Sequence, residues 1–350
     1  MRDLLDDYER LTAAGDPVGR AVVTSVWGSA PRPEGASMLA TGAGVMAGSV
    51  SGGCVEGATA TEIAAALERG TPRLVTFGVS DEKAWEVGLA CGGTIKVLVE
   101  PAVRPEVLAA ARGPGGEVIA TLVEGPGVGT WGRVRENGTV EGELVRRVAP
   151  EALATPALDA LRRERSTSVA LESAQGPATV FLEVFPRRPR LVIFGGVHIA
   201  TALVPLARLL GYRTIVADGR QTFLTRERFP EADELILAWP DEAFERIGLD
   251  AGCYVCILSH DPKFDEPALR LALRSPAAYI GAIGSRKTQV KRREWLRSEG
   301  FGEADVARVH GPIGLDLGGR APAETALAIL AQMTAVRYGG AAGQLGGGME

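Results

Sequence analysis

Two cysteines set among glycines are the residues of this sequence best suited to chemistry. Cys54 lies in GSVSGGCVEG (residues 48–57), and Cys91 lies in LACGGT (residues 89–94). Glycine has no side chain, so neighbouring glycines let backbone amides approach a ligand closely. The glycines concerned are Gly52, Gly53, Gly92 and Gly93. This composition predicts contact with a ligand, although both thiols could also be small buried core residues, as free cysteines often are.

The segment that follows Cys54 is typical of a helix. EGATATEIAAALERG (residues 56–70) places apolar side chains on one face at Ile63, Ala64 and Leu67. The thiol of Cys54 is therefore predicted to lie at a helix N-terminus. The helix dipole favours a thiolate at that position.

Length, composition and charge limit the function classes. The chain has 350 residues, 46% of them hydrophobic, which suffices for two or three domains. A net charge of -5 and a pI near 5.5 argue against a nucleic-acid-binding protein, which needs a basic excess. The sequence shows neither a signal peptide nor an apolar run long enough to span a membrane. We therefore expect a cytoplasmic protein whose four cysteines are free thiols.

The N-terminal half is predicted to be an α+β domain with a β-rich annex. Residues 117–145 alternate apolar and polar side chains around Gly-Pro and Asn-Gly turn signals, as a β-meander does. A helix is predicted over residues 156–165, with Thr155 as its N-cap and Pro156 in its first turn. Strands are predicted at 20–27, 37–40, 73–77, 94–100, 168–171 and 178–185.

The segment PRRPR (residues 186–190) is stiff, charged and poor in backbone donors, so it is interpreted as a linker. It predicts one domain over residues 1–186 and a second over residues 187–338. The Gly-rich tail at residues 339–350 is predicted to be disordered.

After the linker, strands and helices alternate strictly. Apolar strands separated by helices predict a Rossmann-like, doubly wound parallel sheet covered on both faces. Strands are predicted at 191–194, 214–217, 235–238, 254–258 and 279–283, and helices at 199–210, 241–247, 265–274, 286–298 and 323–337.

The turn FGGVHIA (residues 194–200) lies where a Rossmann fold would hold a pyrophosphate, and Asp218 ends the second strand, where an acid commonly binds a ribose hydroxyl. The position and spacing therefore suit a nucleotide. Val197, however, occupies the middle glycine position, where a branched side chain would obstruct the standard placement of the pyrophosphate. The pattern supports the fold more strongly than it supports NAD(P) or another nucleotide.

Three further segments contain residues suited to a site. His260 in SHD (residues 259–261) could act as an acid or base, or simply be a polar loop residue. GSRK (residues 284–287) could hold an anion through backbone amides, a hydroxyl and Arg286, whereas Lys291, Arg292 and Arg293 are typical of a solvated helix face. CYVC (residues 253–256) is interpreted as two core cysteines within a strand. The candidate cofactor-binding residues of the second domain are Gly195, Gly196, His198, Asp218, Arg220, His260, Asp261, Gly284, Ser285 and Arg286.

Taken together, these segments resemble the XdhC/CoxI family of molybdenum-hydroxylase maturation proteins. Val197 and Ala321 are departures from the pattern of the family, which tends to have glycine and threonine there. The matching segments are GSAPRPEGASML (28–39), GSVSGGCVEG (48–57), LACGGTIKVLVEP (89–101), RLVIFGGVHIA (190–200), ADGR (217–220), SHD (259–261), YIGAIGSRK (279–287) and GPIGLDLGGRAPAETALAI (311–329).

The resemblance implies a non-catalytic maturation factor that binds molybdenum cofactor (molybdopterin) and supports its sulfuration and insertion into a xanthine-dehydrogenase-type molybdenum hydroxylase. Glycine-rich amides could hold the phosphate of the cofactor, while a soft thiolate lies near molybdenum. We expect Cys54 and Cys91 to line one pocket, with Glu56 nearby, and at least one thiol to contact the metal.

Further partners to consider are a cysteine desulfurase and a second copy of the chain. Two other functions stay open from the sequence. One is an NAD(P)-dependent small-molecule oxidoreductase that uses the Rossmann half, and the other is a scaffold that holds no cofactor.

Overall fold

The structure is a computed structural model that describes residues 1–29, 31–78 and 93–343. The chain divides into two compact units, Met1–Arg187 and Arg188–Glu350. Within the described ranges, none of the helices combines the length and the apolar character needed to cross a lipid bilayer.

The first unit begins with an antiparallel five-stranded sheet in the order β3-β2-β1-β5-β4. Helix α2 packs on one face of this sheet, where Ile63 and Ala66 join the apolar side chains of the central strands. The elements are α1 (Leu5–Ala13), β1 (Val18–Trp27), β2 (Ser37–Thr41), β3 (Met46–Gly48), α2 (Glu56–Arg69), β4 (Arg73–Phe77) and β5 (Thr94–Glu100).

The β-rich annex is a second antiparallel sheet in the order β8-β7-β6-β10-β9, covered by helix α4. Its elements are α3 (Pro105–Arg112), β6 (Glu117–Glu124), β7 (Trp131–Arg135), β8 (Val140–Gly142), α4 (Pro150–Arg162), β9 (Thr167–Ser173) and β10 (Gly176–Phe185).

Helix α4 corrects the prediction of a helix starting at Pro156. The first-turn proline is Pro150, and Pro156 lies inside the helix. An interior proline loses one backbone hydrogen bond and costs about 3 kcal/mol in an isolated helix. Here Leu153, Ala157 and Ala160 are buried against the second sheet. This tertiary packing offsets the free-energy cost of the interior proline.

A buried arginine connects the two sheets of the first unit. Arg20 on β1 is fully buried, donates to Glu100 on β5 at 3.2 Å and to Ser37 at 3.0 Å, and forms an ion pair with Glu183 on β10. Around it Val22, Leu98, Val123 and Phe181 form a small apolar core. A buried charge is tolerated only when it is paired and hydrogen-bonded, so this network fixes which strands lie opposite one another.

The second unit contains a six-stranded parallel sheet in the order β13-β12-β11-β14-β15-β16. This is the 3-2-1-4-5-6 order of a Rossmann fold, so the predicted fold class is confirmed. The strands are β11 (Arg190–Phe194), β12 (Arg213–Asp218), β13 (Glu234–Leu237), β14 (Cys253–Ile257), β15 (Tyr279–Ala282) and β16 (Val309–His310).

Helices cover both faces of this parallel sheet. Helices α5 and α10 pack on one face, and α6, α7, α8 and α9 contribute to the core on the other face. Cys253 and Cys256 are buried in β14, as predicted for core cysteines. The helices are α5 (His198–Leu209), α6 (Pro240–Ile247), α7 (Pro262–Arg274), α8 (Arg286–Ser298), α9 (Glu303–Ala307) and α10 (Pro322–Tyr338).

Candidate functional site

Cys54 is an exposed free thiol on the loop between β3 and α2. The helix begins at Glu56, so Cys54 lies two residues before its first residue. The alternative that Cys54 is a buried core residue is therefore excluded. Cys91 and Gly92 lie outside the described residues, as do residues 79–90.

The loop before Cys54 is wrapped around the side chain of Glu56. The Glu56 carboxylate accepts hydrogen bonds from four backbone amides and two hydroxyls of residues 49–53, all within 3.2 Å. The donors are Ser49 Oγ, Val50 N, Ser51 N, Ser51 Oγ, Gly52 N and Gly53 N.

These hydrogen bonds change the acidity of Glu56. Partial burial opposes ionisation, but the donors from Ser49, Ser51 and the backbone outweigh it and lower the pKa of the carboxyl to about 2. The carboxylate is therefore charged at any ordinary pH. It acts as a fixed centre around which the glycine loop closes.

This arrangement revises the expectation that the amides of Gly52 and Gly53 await a phosphate. In the structure both amides donate to Glu56, at 3.0 and 2.8 Å. Glu56 is the first residue of α2, where the helix dipole favours a carboxylate, but the sequence does not show that this side chain turns back to the loop. The prediction from sequence instead places Glu56 beside the cofactor.

The backbone conformation explains the glycine at position 53. Gly53 has φ +123°, and a methyl group placed on it would meet nothing within 4 Å. Conformation rather than lack of space therefore requires glycine there.

Close packing explains the glycine at position 93. A methyl group on Gly93, the second residue after Cys91, would lie 2.3 Å from the carbonyl oxygen of Ser29. A methyl group on Gly52 would lie 3.4 Å from Pro31. Gly93 and Gly52 therefore both lie beside the Pro-rich loop that follows β1.

In the second unit, the glycine turn after β11 lies against the end of β14. Gly195 has φ +110°, and a methyl group on it would lie 2.7 Å from the backbone nitrogen of Ser259. These two strand ends mark the point where the strand order reverses, which is where open α/β sheets bind ligands. His198, the first residue of α5, is exposed at this turn.

Asp218 at the end of β12 has the chain's own groups as partners. Its carboxylate accepts from Gly196 N at 2.8 Å and from the backbone and guanidinium of Arg220, each at 2.9 Å. It is 1% exposed, and although burial opposes ionisation, these donors lower its pKa. A methyl group on Gly196 would lie 2.4 Å from the carbonyl oxygen of Phe223, so the segment after Arg220 covers the turn.

A cavity of about 590 Å³ lies beside the carboxyl ends of β14 and β15, between α7 and α8. Of the sequence-predicted residues, the structure brings His260, Gly284 and Ser285 together here. Asp261 instead caps α7 by accepting from Lys263 N at 3.2 Å, and Arg286 points to Asp316 at 3.9 Å on the surface. The cavity is lined by His260, Pro262, Asp265, Glu266, Leu269, Ile283, Gly284, Ser285, Thr288, Lys291, Arg292 and Trp295.

Arg292 corrects the prediction of a solvated helix face. It is 9% exposed and forms a 3.0 Å ion pair with Asp265, which is 7% exposed. Burial lowers the pKa of Arg292 and raises that of Asp265, because desolvation penalises both charges. The missed signal is that Gln289, Arg292 and Leu296 share one face of α8, and all three are buried.

Among the residues that the structure describes, no group of three or more His, Cys, Asp or Glu side chains could hold a metal ion. Among those residues, Cys54 is the exposed cysteine. The predicted contact of Cys54 and Cys91 with molybdenum stays a prediction.

Comparisons with known proteins cover both units. A family model described as the XdhC Rossmann domain matches residues 191–333, and one described as the XdhC and CoxI family matches residues 11–78. A Bacillus subtilis protein, named as a probable subunit of xanthine dehydrogenase, is 27% identical over 95% of this chain and 95% of its own length. The protein named "Molybdenum cofactor insertion chaperone PaoD" from Escherichia coli is 26% identical over 91% of this chain and 84% of its own length.

A solved structure described as a xanthine dehydrogenase from Bacillus halodurans resembles this chain with a TM-score of 0.72 at 24% identity. The likeness covers 95% of this chain and 94% of the other, and it shows a shared fold. The ranges that the two family models match contain the Cys54 loop, the glycine turn and the cavity.

Proposed function

Because the chain belongs to the XdhC and CoxI family, we propose that it binds molybdenum cofactor as cargo and supports its sulfuration and insertion into a xanthine-dehydrogenase-type molybdenum hydroxylase. The observation that carries the proposal is the exposed thiol of Cys54 on a loop closed around Glu56. A relative similar over most of its length is named as a molybdenum cofactor insertion chaperone, which supports the same role.

The chemistry of the loop suits a soft metal centre. A thiolate is a soft ligand of the kind that binds soft metal centres in proteins. The hydrogen bonds to Glu56 hold the loop in one shape, so little conformational freedom is lost when cargo binds. Cys54 is therefore the residue that we assign to the metal end of the cofactor, with Cys91 as its proposed companion.

The phosphate end of the cofactor needs other donors than Gly52 and Gly53, unless Glu56 leaves the loop. Both amides are already bound to that carboxylate. In this proposal Gly52, Gly53 and Glu56 shape the loop, while Gly92 and Gly93 follow the second thiol in the sequence. Gly52 and Gly53 thus contribute by conformation rather than by direct contact with phosphate.

The geometry of the second unit favours the maturation role over the nicotinamide-dependent oxidoreductase. Val197 replaces the middle glycine of the turn, and Asp218 is 1% exposed and bound to Gly196 and Arg220. The proposed partners are a molybdenum hydroxylase that receives the cofactor and a cysteine desulfurase that supplies sulfur. A homodimer is part of the same proposal.

Native purification from cells supplied with molybdate tests this function. Bound molybdenum is measured by mass spectrometry, and pterin by fluorescence after oxidation, for the wild-type protein and for the C54S, C91S and C253A variants. C253A removes a buried thiol and serves as the control. We expect C54S to lose most of the bound cofactor while C253A retains it.

A second measurement follows activation of a separately purified, cofactor-free molybdenum hydroxylase. The wild-type protein purified with cofactor should activate it, and C54S purified in the same way should not. Equal retention and equal activation by all variants would contradict the proposal. Turnover of a dinucleotide by the isolated protein would instead support the oxidoreductase.

A further inference from the structure

An apolar groove lies between α5 and α10 in the second unit. Its volume is about 620 Å³, and it is lined mainly by these two helices and by the described residues that follow α10. Among the described residues that line the groove, none carries a charge. We propose that this groove is the surface through which two copies of the chain form a homodimer. The inference rests on the homodimer of the proposed function, and it is independent of the role of Cys54.

Helix α10 has two apolar faces. Ala326, Ile329 and Met333 are buried in the core against the parallel sheet. On the other side, Leu327 is 56% exposed and Tyr338 is 51% exposed. A surface helix usually carries polar side chains on its outer face, whereas a helix that is apolar all round is normally buried all round. The outer row of α10 therefore indicates that another protein surface covers it. This row follows helical spacing and consists of Leu327, Ala331, Thr334 and Tyr338.

The end of α5 supplies a projecting side chain beside the groove. Leu209, the last residue of α5, is 84% exposed, and Leu210 is 50% exposed. Both leucines line the groove. A single exposed leucine is ordinary on a protein surface. Exposed leucines that adjoin an apolar groove form a continuous patch, and such a patch marks an interaction surface.

A projecting leucine and an apolar groove on one surface are complementary to each other. Under a two-fold axis, Leu209 of each copy enters the groove of the other copy, so the same contact forms twice. The four most exposed lining side chains present on the order of 400 Å² of surface, about half of the roughly 800 Å² that each partner buries in a standard interface. They are Leu209, Leu210, Leu327 and Tyr338.

The uncharged lining favours a permanent partner over a transient one. Homodimer interfaces are more apolar than transient interfaces, which are about as polar as the rest of the surface. Arg208 precedes Leu209 but pairs with Asp233 at 3.3 Å and does not line the groove. The hydroxyl of Thr334 donates to the Leu330 carbonyl at 2.8 Å, so this donor is already satisfied. An enzyme that receives cargo must dissociate afterwards and would return this apolar surface to water, whereas a second copy keeps it covered.

Sedimentation equilibrium of the full-length protein tests the proposal. The variants are Leu209→Lys and Leu327→Glu in the groove surface, and Leu237→Lys at a leucine that is 48% exposed and does not line the groove. We expect the wild type and Leu237→Lys to have twice the chain mass of 36.7 kDa. Each groove variant should weaken self-association by about thirtyfold or more, because it buries an unpaired charge in the interface. All three positions are exposed in the single chain, and circular dichroism confirms that each variant is folded.

Mixing the two groove variants tests the two-fold geometry. In a mixed dimer, the lysine at position 209 of one copy meets the glutamate at position 327 of the other, and the second contact keeps both of its leucines. We therefore expect Leu209→Lys and Leu327→Glu to form dimers when mixed, although each is monomeric alone. A mixture that stays monomeric would overturn the insertion of Leu209 into the groove.

Other occupants of the groove give different results. A monomeric wild type, or groove variants that remain dimeric, would overturn the proposal. A monomeric wild type whose groove variants unfold at a lower temperature than Leu237→Lys would show that the chain itself covers the groove. A lipid retained by a monomer in native mass spectrometry would assign the groove to that lipid. Cofactor retention by C54S enters none of these outcomes, so the proposed function and the dimer surface fail separately.

Discussion

The backbone N–H of Gly53 donates a 2.8 Å hydrogen bond to the carboxylate of Glu56, and the two residues bracket Cys54. The exposed thiol is therefore held between two ends of one closed hydrogen-bonded loop. The loop owes its shape to a side chain two positions after the cysteine. This relationship makes Glu56 a positioning residue for Cys54.

Replacing Glu56 with alanine should loosen the Cys54 loop. The variant leaves the amides of residues 50–53 without their acceptor, although water can reach Gly52 and Gly53 because both are exposed. We expect the free energy of unfolding to fall by about 2 kcal/mol, since hydrogen bonds to a charged group are stronger than average. Hydrogen exchange of amides 50–53 should become faster, as measured by mass spectrometry. Glu68→Ala, at an exposed position of the same helix, should change neither quantity.

The contribution of Glu56 should depend on pH below neutrality. Its pKa falls from 4.5 to about 2 in the folded protein, so its stabilisation is complete above pH 4.5 and is lost as the pH falls towards 2. We expect the stability difference between wild type and Glu56→Gln to be constant above about pH 6 and to shrink between pH 4.5 and 2. Urea unfolding at a series of pH values measures this difference. A constant difference down to about pH 2.5 would show that the carboxylate is not held as described.

The cysteines of the described residues should differ in reactivity. Cys54 is exposed, whereas Cys253 and Cys256 are buried in β14, and burial raises the pKa of both buried thiols. Iodoacetamide should therefore modify Cys54 in the native protein and reach Cys253 and Cys256 only after unfolding. Peptide mass mapping with and without urea distinguishes the two classes. Protection of Cys54 in the native state would contradict its exposure.

Gly195→Ala should destabilise the second unit more than Gly211→Ala. Both glycines have positive φ, +110° and +81°, but a methyl group on Gly195 would lie 2.7 Å from Ser259 N, while one on Gly211 would meet nothing within 4 Å. Gly211→Ala then costs only the conformational strain, about 1 kcal/mol. Gly195→Ala adds a steric conflict and should cost roughly 3 kcal/mol. Thermal unfolding of the two variants gives the comparison, and equal losses would exclude the close approach at the strand ends.

Arg20→Met should be one of the most damaging substitutions in the first unit. It removes the guanidinium that pairs with the buried carboxylates of both Glu100 and Glu183. Breaking a buried ion pair from one side typically costs about 3–5 kcal/mol. Arg112→Met removes an exposed pair with Glu9 and should cost no more than about 0.5 kcal/mol. Chemical denaturation compares the two, and a loss in Arg20→Met as small as that of the control would refute the role of the network.

The repeating apolar patterns determined most of the fold. Alternating strands and helices after residue 190 predicted a parallel sheet, because strands buried on both faces must be continuously apolar. The sequence also located the glycine turn and the Cys54 loop, since glycines at such positions reflect local backbone conformation. Local sequence patterns predicted helix boundaries less reliably where tertiary packing opposes local propensity. Pro156 lies inside α4 because the buried face of that helix offsets its cost.

The partners of the charged side chains were decided by the tertiary structure alone. Sequence spacing placed Glu56 and Asp218 near candidate sites and Arg292 on a solvated helix face. It did not show that each carboxylate or guanidinium already has its partner within the chain. A charged group pairs with whatever donor or acceptor the fold brings within about 3 Å, and that neighbour can be many residues away. Arg292 meets Asp265 only because α7 and α8 pack side by side over the sheet, so the cavity between them could not be seen in the sequence.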